Sequence, residues 1–401
     1  MVDQVLSSGA QLLLLVLVAR QADPATFGAL SVALIAHGFL LGVVRAAIGE
    51  VVLLRCRANP TASRAEAGVG LFLTLLAGVT AAFGLFGAAA VLGGAVGHFL
   101  SVMALAAPLV YAQDLLRYVA YGAGRLEHAI VVDGVWLAVQ VAVSALLLAA
   151  GEGTATRFAL AWVAGAGAGA LVGCLRRRLQ PCPVAVSRWW AEERGRSGGF
   201  VADFLVSNGM WQGSFLLLSV LLPLDEFGGL RVAFVSLSPL ASLLAGVRTL
   251  LLAHLGGLRA HPARASRRAV QLALGLAGLG AAYGVGLVLL PDRWGAELFG
   301  ELWAEAATLV GILAVGEVFR LITFAAIDLV KVLGTPLDLV RTRVTGGAGV
   351  IAGLLLGGAV AGPTGAVVGA TTGYALNATV WWRRGWALGH RPAERSPTAS
   401  A

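Results

Sequence analysis

Apolar runs of about twenty residues recur along the whole chain, each long enough to cross the hydrocarbon core of a bilayer. They lie near 3–20, 27–49, 67–92, 98–121, 129–150 and 155–175. After a polar, arginine-rich connection they resume near 200–222, 228–252, 269–290, 302–325, 339–360 and 364–382. The pattern predicts an all-α polytopic membrane protein of twelve spans, six per half. Residues 1–20 carry neither a basic leader nor an A-x-A cleavage site, so they are read as the first span and not as a cleaved signal.

The two halves repeat. DQVLSSGAQLLLLVLVARQADPATFGALSVA from Asp3 aligns without a gap on DFLVSNGMWQGSFLLLSVLLPLDEFGGLRVA from Asp203. Asp3, Ser7, Gly9 and Leu17 fall on Asp203, Ser207, Gly209 and Leu217. Phe27, Gly28, Leu30, Val32 and Ala33 fall on Phe227, Gly228, Leu230, Val232 and Ala233. Shared leucines would mean little between two membrane helices; polar and glycine positions matched across a span and into the next mean more. Six spans per half make the repeat parallel, with a pseudo-two-fold axis along the membrane normal and a cavity expected between the halves. The expected division is a bundle over 1–196 that includes the linker, a bundle over 197–386, and a tail over 387–401 without fixed structure.

Composition agrees with the span count. Of the 401 residues 58% are hydrophobic and 12% charged, against about 25% charged in a soluble domain. The formal charge is +8, and Lys331 is the one lysine among 29 basic residues. Basic residues crowd one set of connections: Arg55, Arg57 and Arg64; Arg125; Arg176 through Arg196; Arg259 through Arg268; Lys331, Arg341 and Arg343; and the tail. The opposite set holds only Arg20, Arg157, Arg231 and Arg293, beside several acids. By the positive-inside rule both termini are expected in the cytoplasm. Arginines placed between apolar spans point to topology and not to nucleic acid. Cys56, Cys174 and Cys182 have no metal or disulfide spacing, no Walker A motif occurs, and no cofactor is implied.

Charges inside spans are costly and mark functional candidates. Span four carries Asp114 and Arg117; its repeat mate, span ten, carries Glu317 and Arg320. Three residues apart, each acid and arginine share a helix face and can pair, as a structural pair or as part of gating between the halves. Arg45 in span two and Arg248 in span eight have no acid one turn away and are candidates to line the central cavity. Guanidinium binds phosphate in a fork, whereas the plainer alternative is snorkelling to headgroups. Asn208, Trp211 and Gln212 share a face of span seven, and Gln11, with Ser7 and Ser8, gives span one a thinner polar set. These are cavity candidates, with helix–helix bonding as the alternative. Glu305, at the outer start of span ten, is a candidate protonation site; His37 and His98 are isolated. No carboxylate is expected at the centre of a bundle.

The opening DQVLSSGAQ…LVARQADPATFGAL, then VVRAAIGEVVLLR (43–55) and AQDLLRYVAYGAGRLEHAIVVDGVW (112–136), resemble actinobacterial members of the polysaccharide-exporter family. This is the Wzx-like branch of the superfamily that also holds the MATE drug exporters and the lipid II flippase. The resemblance covers essentially the whole chain. It implies a MATE-like fold of two six-helix bundles with alternating access, and a cargo of polyprenyl-diphosphate-linked oligosaccharide. It also implies a cationic cavity for the pyrophosphate and sugars, a role with which the positions of Arg45 and Arg248 in spans two and eight are compatible. Partners would be the lipid bilayer, the lipid-linked glycan and other polysaccharide-assembly membrane proteins. The chain departs from the family in lacking a strong charge cluster in spans one and seven. Rival classes are an ion-coupled small-molecule antiporter and, last, a polytopic membrane enzyme, for which the outer loops are short.

Overall fold

The computed structural model describes residues 2–58, 63–240, 244, 255, 257–258 and 261–390. Among them helices account for nearly everything, and nine helical segments are long and apolar enough to cross a membrane. The first six expected spans are α1 (Val2–Gln21), α2 (Pro24–Val44) continued by α3 (Glu50–Ala58), α4 (Ser63–Leu92), α5 (Gly94–Gly122), α6 (Leu126–Ala149) and α7 (Ala155–Arg177). The linker is not an irregular connection: α8 (Val186–Phe204) runs through a π-helical turn, Leu205–Gly209, into α9 (Met210–Leu221), which is span seven. Then follow α10 (Leu224–Ser236), α11 (Pro262–Val288), the short α12 (Asp292–Phe299), α13 (Leu302–Leu333) and α14 (Pro336–Gly389). Arg248 and most of the inner part of span eight lie outside the described residues.

At 54 residues α14 is too long for one span, and it is interrupted at Ala361 and Gly362. Gly362 takes φ 60° before Pro363, a conformation open to glycine and closed to most L-residues. The two arms fold back as spans eleven and twelve. Gly353 meets the Gly369 backbone and Gly357 meets that of Gly365, so closely that a Cβ at any of the four would overlap a facing carbonyl. Small residues that let backbones touch are how helices associate in lipid, where no hydrophobic drive is left between them. The helix continues to Gly389, past the expected bundle end at residue 386, because Leu388 (3% exposed) packs in a core with Ala326, Val330 and Trp381.

By packing, the chain forms two compact units. One comprises Met1–Val235 and Pro291–Ala306, the other Ser236–Leu290 and Ala307–Ala401. The repeat boundary at 196 and 197 thus falls inside α8, and span seven packs with the first unit. In the first unit α5 is central, against α2, α3, α4, α6 and α7. Pro108 sits inside α5, and the bare Gly78 of α4 lies against its backbone. In the second unit Thr371 donates to the Ile312 carbonyl at 3.1 Å and Tyr283 to that of Ser236 at 2.7 Å.

The repeat is visible as a contact inside the first unit. Gly28 and Gly228, equivalent by the 200-residue offset, face each other where α2 and α10 cross. A Cβ at Gly28 would overlap the Leu224 carbonyl, and one at Gly228 would lie 2.6 Å from the carbonyl oxygen of Pro24, the equivalent of Leu224. Each residue touches its partner's equivalent, as at a two-fold interface.

Before α2, Asp23 is an N-cap: Oδ1 accepts from the Thr26 N–H at 2.9 Å and Oδ2 from its hydroxyl at 2.7 Å. These two bonds hold the Asp23 carboxyl below its ordinary value, the hydroxyl bond foremost. A depressed folded-state value stabilises above the ordinary carboxylate range and is lost as pH falls through the depressed value. Asp23→Ala is therefore expected to lower stability by about 1 kcal/mol, the usual worth of a cap. The deficit relative to wild type should shrink in unfolding curves taken below pH 4, where the wild-type cap protonates.

Candidate functional site

A cavity of about 100 Å³ opens inside the first unit. Ser7 and Gln11 of α1, His37 and Gly38 of α2, Arg45, Gln113, Asp114 and Arg117 of α5, Trp136 of α6 and Trp162 of α7 line it, with Leu34, Leu41 and Val110 filling the apolar wall. Arg45 is the first residue of a π-helical turn, Arg45–Gly49, that joins α2 to α3. Such turns insert an extra residue into a helix and are frequent at functional sites.

The expectation of an unpaired Arg45 is corrected by its neighbour in space. Its Nε donates to Asp114 Oδ2 at 2.9 Å and its Nη2 to Oδ1 at 2.8 Å, a bidentate fork. The acid comes from α5, sixty-nine residues away in sequence, where no periodicity of span two reveals it. Arg117 is held less tightly by its own helix mate, with Nη1 3.4 Å from Asp114 Oδ1. Its nearer partner is Asp133 of α6, 3.2 Å from Nε. Gln113 Nε2 donates to the other Asp133 oxygen at 2.7 Å. Arg117 also reaches the Ser7 and Tyr121 hydroxyls at 3.3 Å.

Two arginines and two aspartates thus neutralise one another inside one bundle. Asp114, Asp133 and Gln113 are buried, but the Arg45 side chain keeps 37% of its surface exposed. The centre of the bundle does contain carboxylates, contrary to the expectation that none lies there. Asp133 is an intramembrane charge in span five, and that alone is the signal by which the sequence marks it.

Aromatic packing fixes the back wall. Trp136 Nε1 donates to the Trp162 carbonyl at 2.9 Å, the two rings lie 5.3 Å apart, and His37 packs between Tyr111 and Trp162. Gln140 Nε2 ties α6 to α1 through the Ala10 carbonyl at 2.9 Å. The cavity offers a partly exposed guanidinium, two amides, the Ser7 hydroxyl and two indole faces, a set suited to an anionic or sugar-like group.

The other expected residues lie elsewhere. Asn208, Trp211 and Gln212 are not among the residues lining this cavity. Trp211 packs edge-on against Phe215 and Phe234, and a Cβ at Gly38 would meet the Gln212 amide oxygen at 3.6 Å. In the second unit Glu317 and Arg320 form the closed pair expected of them, at 2.6 Å from Arg320 Nε, with Arg320 over the Phe324 ring. Glu305 lies against Gly229 at the opening of α13.

No family model matches the chain, and no curated protein matches it. Solved structures do, over nearly its whole length. An inward-facing multidrug resistance MATE family transporter of the MOP superfamily superposes with a TM-score of 0.72 at 12% identity, covering 96% of this chain and 94% of that one. The lipid II flippase MurJ in an inward closed conformation gives 0.72 at 11% identity, over 94% and 85%. A variant of the Vibrio cholerae MATE transporter VcmN gives 0.65 at 14%, over 96% and 94%. The chain is a polytopic helical membrane protein with the MATE and MurJ fold.

Proposed function

We propose that this protein is a transporter that moves a lipid-linked, diphosphate-bearing oligosaccharide between the leaflets by alternating access, without enzymatic chemistry or a cofactor. The observation that carries the reading is the partly exposed guanidinium of Arg45 at a cavity walled by two amides, the Ser7 hydroxyl and two tryptophans. Guanidinium suits phosphate and indole faces suit sugar rings. Ligand pockets that enclose a whole small molecule run to about 300–1,000 Å³, so a cavity near 100 Å³ takes one phosphate or one sugar ring of such a cargo. The fold shared with a lipid II flippase supports the same class.

A second reading has one observation in its favour. An ion-coupled small-molecule antiporter needs a carboxylate deep in a bundle, and Asp114 and Asp133 are there. Both are already paired with arginines, so neither stands as a lone carboxylate for a coupling ion; the first reading is therefore preferred.

The test is a deletion strain whose lipids are extracted and compared with the parent for diphosphate-linked glycan intermediates on the cytoplasmic leaflet. Accumulation reversed by the wild-type gene and not by Arg45→Ala is the expected result. Reversal by both keeps the transporter and removes Arg45 from cargo contact. No accumulation, with new drug sensitivity, selects the antiporter.

A further inference from the structure

The helix between the two repeats, α8, has one face docked and another unmatched. Val186, Trp189, Glu193, Ser197 and Phe200 turn inward at helical spacing, and Ser197 Oγ donates to the Ala47 carbonyl of the π turn at 2.8 Å. The acids of this stretch are consumed. Arg55 Nη1 lies 2.8 Å from both Glu192 and Glu193, Arg196 lies 2.7 Å from Glu193, and Arg55 also forks onto Glu66. Arg188 reaches Glu192 at 3.6 Å.

One turn apart on the flank of the docked face stand Trp190 and Arg194. Trp190 is 52% exposed, and Arg194, also exposed, has no ion pair or hydrogen bond among the described residues. Farther along the same flank, Leu205 is exposed where α8 passes into the membrane-crossing α9. Arg55, on which Glu192 and Glu193 both close, lies on the arginine-rich side of span two, eight residues or about 12 Å of helix beyond Ala47.

We infer that this flank of α8 is a binding surface for anionic phospholipid in the leaflet on the arginine-rich side, with Trp190 at headgroup level and Arg194 on the lipid phosphate. An indole beside an unneutralised arginine, covalently continuous with a spanning helix, matches what the membrane–water boundary selects. The contact would hold the linker between the repeats against the bilayer surface. The inference rests on the membrane fold and not on the identity of the cargo.

The test titrates the purified full chain with phosphatidylglycerol or phosphatidylcholine and counts bound lipid by native mass spectrometry. Wild type is expected to prefer phosphatidylglycerol. Arg194→Gln should weaken that binding about fivefold, the factor carried by one basic side chain at an anionic surface, leaving phosphatidylcholine binding and lipid-free thermal unfolding unchanged. Arg194→Lys should keep the preference, and Trp190→Ala should weaken both lipids. The inference is overturned if Arg194→Gln binds phosphatidylglycerol like wild type. It is equally overturned if the exposed Arg176→Gln loses as much, which would make the effect one of bulk charge.

Discussion

Asp114→Ala is expected to cost about 3–5 kcal/mol of stability, the usual price of breaking a buried ion pair from one side. With Asp114 gone, Arg45 and Arg117 share a cavity wall with Asp133 as the one remaining acid of the network, and a net positive charge is left in the bundle. The side chain removed is 6% exposed, so water does little to screen the loss. Arg45→Ala should cost less, because 37% of that side chain is exposed and Asp114 keeps Arg117 at 3.4 Å. The double variant Asp114→Ala, Arg45→Ala restores the charge balance through Arg117 and Asp133 and should be more stable than Asp114→Ala alone. A cycle built from denaturant unfolding in detergent reads the coupling directly. Additive losses would mean that the fork seen between Arg45 and Asp114 does not contribute to stability.

The same network shows which parts of the molecule the sequence reveals. Span count, the repeat and the Glu317–Arg320 pair follow from periodicity and local spacing, since each concerns residues within one helix or at one fixed offset. The pairing of Arg45 with Asp114 does not, because hydropathy says which helices exist and not which faces meet. Arg117 illustrates the limit: its helix mate Asp114 is within local reach, yet Asp133 from the neighbouring helix is closer. Trp136 and Trp162 are invisible as cavity wall for the same reason, and their tryptophan-to-carbonyl bond leaves no mark in composition. The linker misleads in the opposite way. Its arginines read as a polar connection, but Arg188 and Arg196 pair with Glu192 and Glu193 on α8 itself, and both acids also close on Arg55 of α3, so the segment is a docked helix.

Gly28→Val is expected to impair transport while leaving the protein folded, and Gly228→Val should do the same. The two glycines meet at the arginine-poor end of the bundle, where α2 and α10 cross backbone to backbone. A valine at either position has a facing carbonyl in its way, and neither carbonyl can yield without moving its helix. Overpacking of this kind costs about 1–3 kcal/mol. Applied to one of two conformations, that shifts their ratio roughly 5–150-fold toward the one in which the helices part. Ser31, one turn inward and fully buried, reports the parting. In a background with Cys56, Cys174 and Cys182 replaced by serine, Ser31→Cys should be inert to an impermeant maleimide with Gly28 present and reactive with valine there. Gly28→Ala, with a smaller overlap, should fall between them. Unchanged labelling together with normal transport would make the crossing a fixed joint. Labelling that rises while transport fails would make it the contact that must form and break in each cycle, because alternating access needs both conformations populated and a helix pair that cannot close traps one of them.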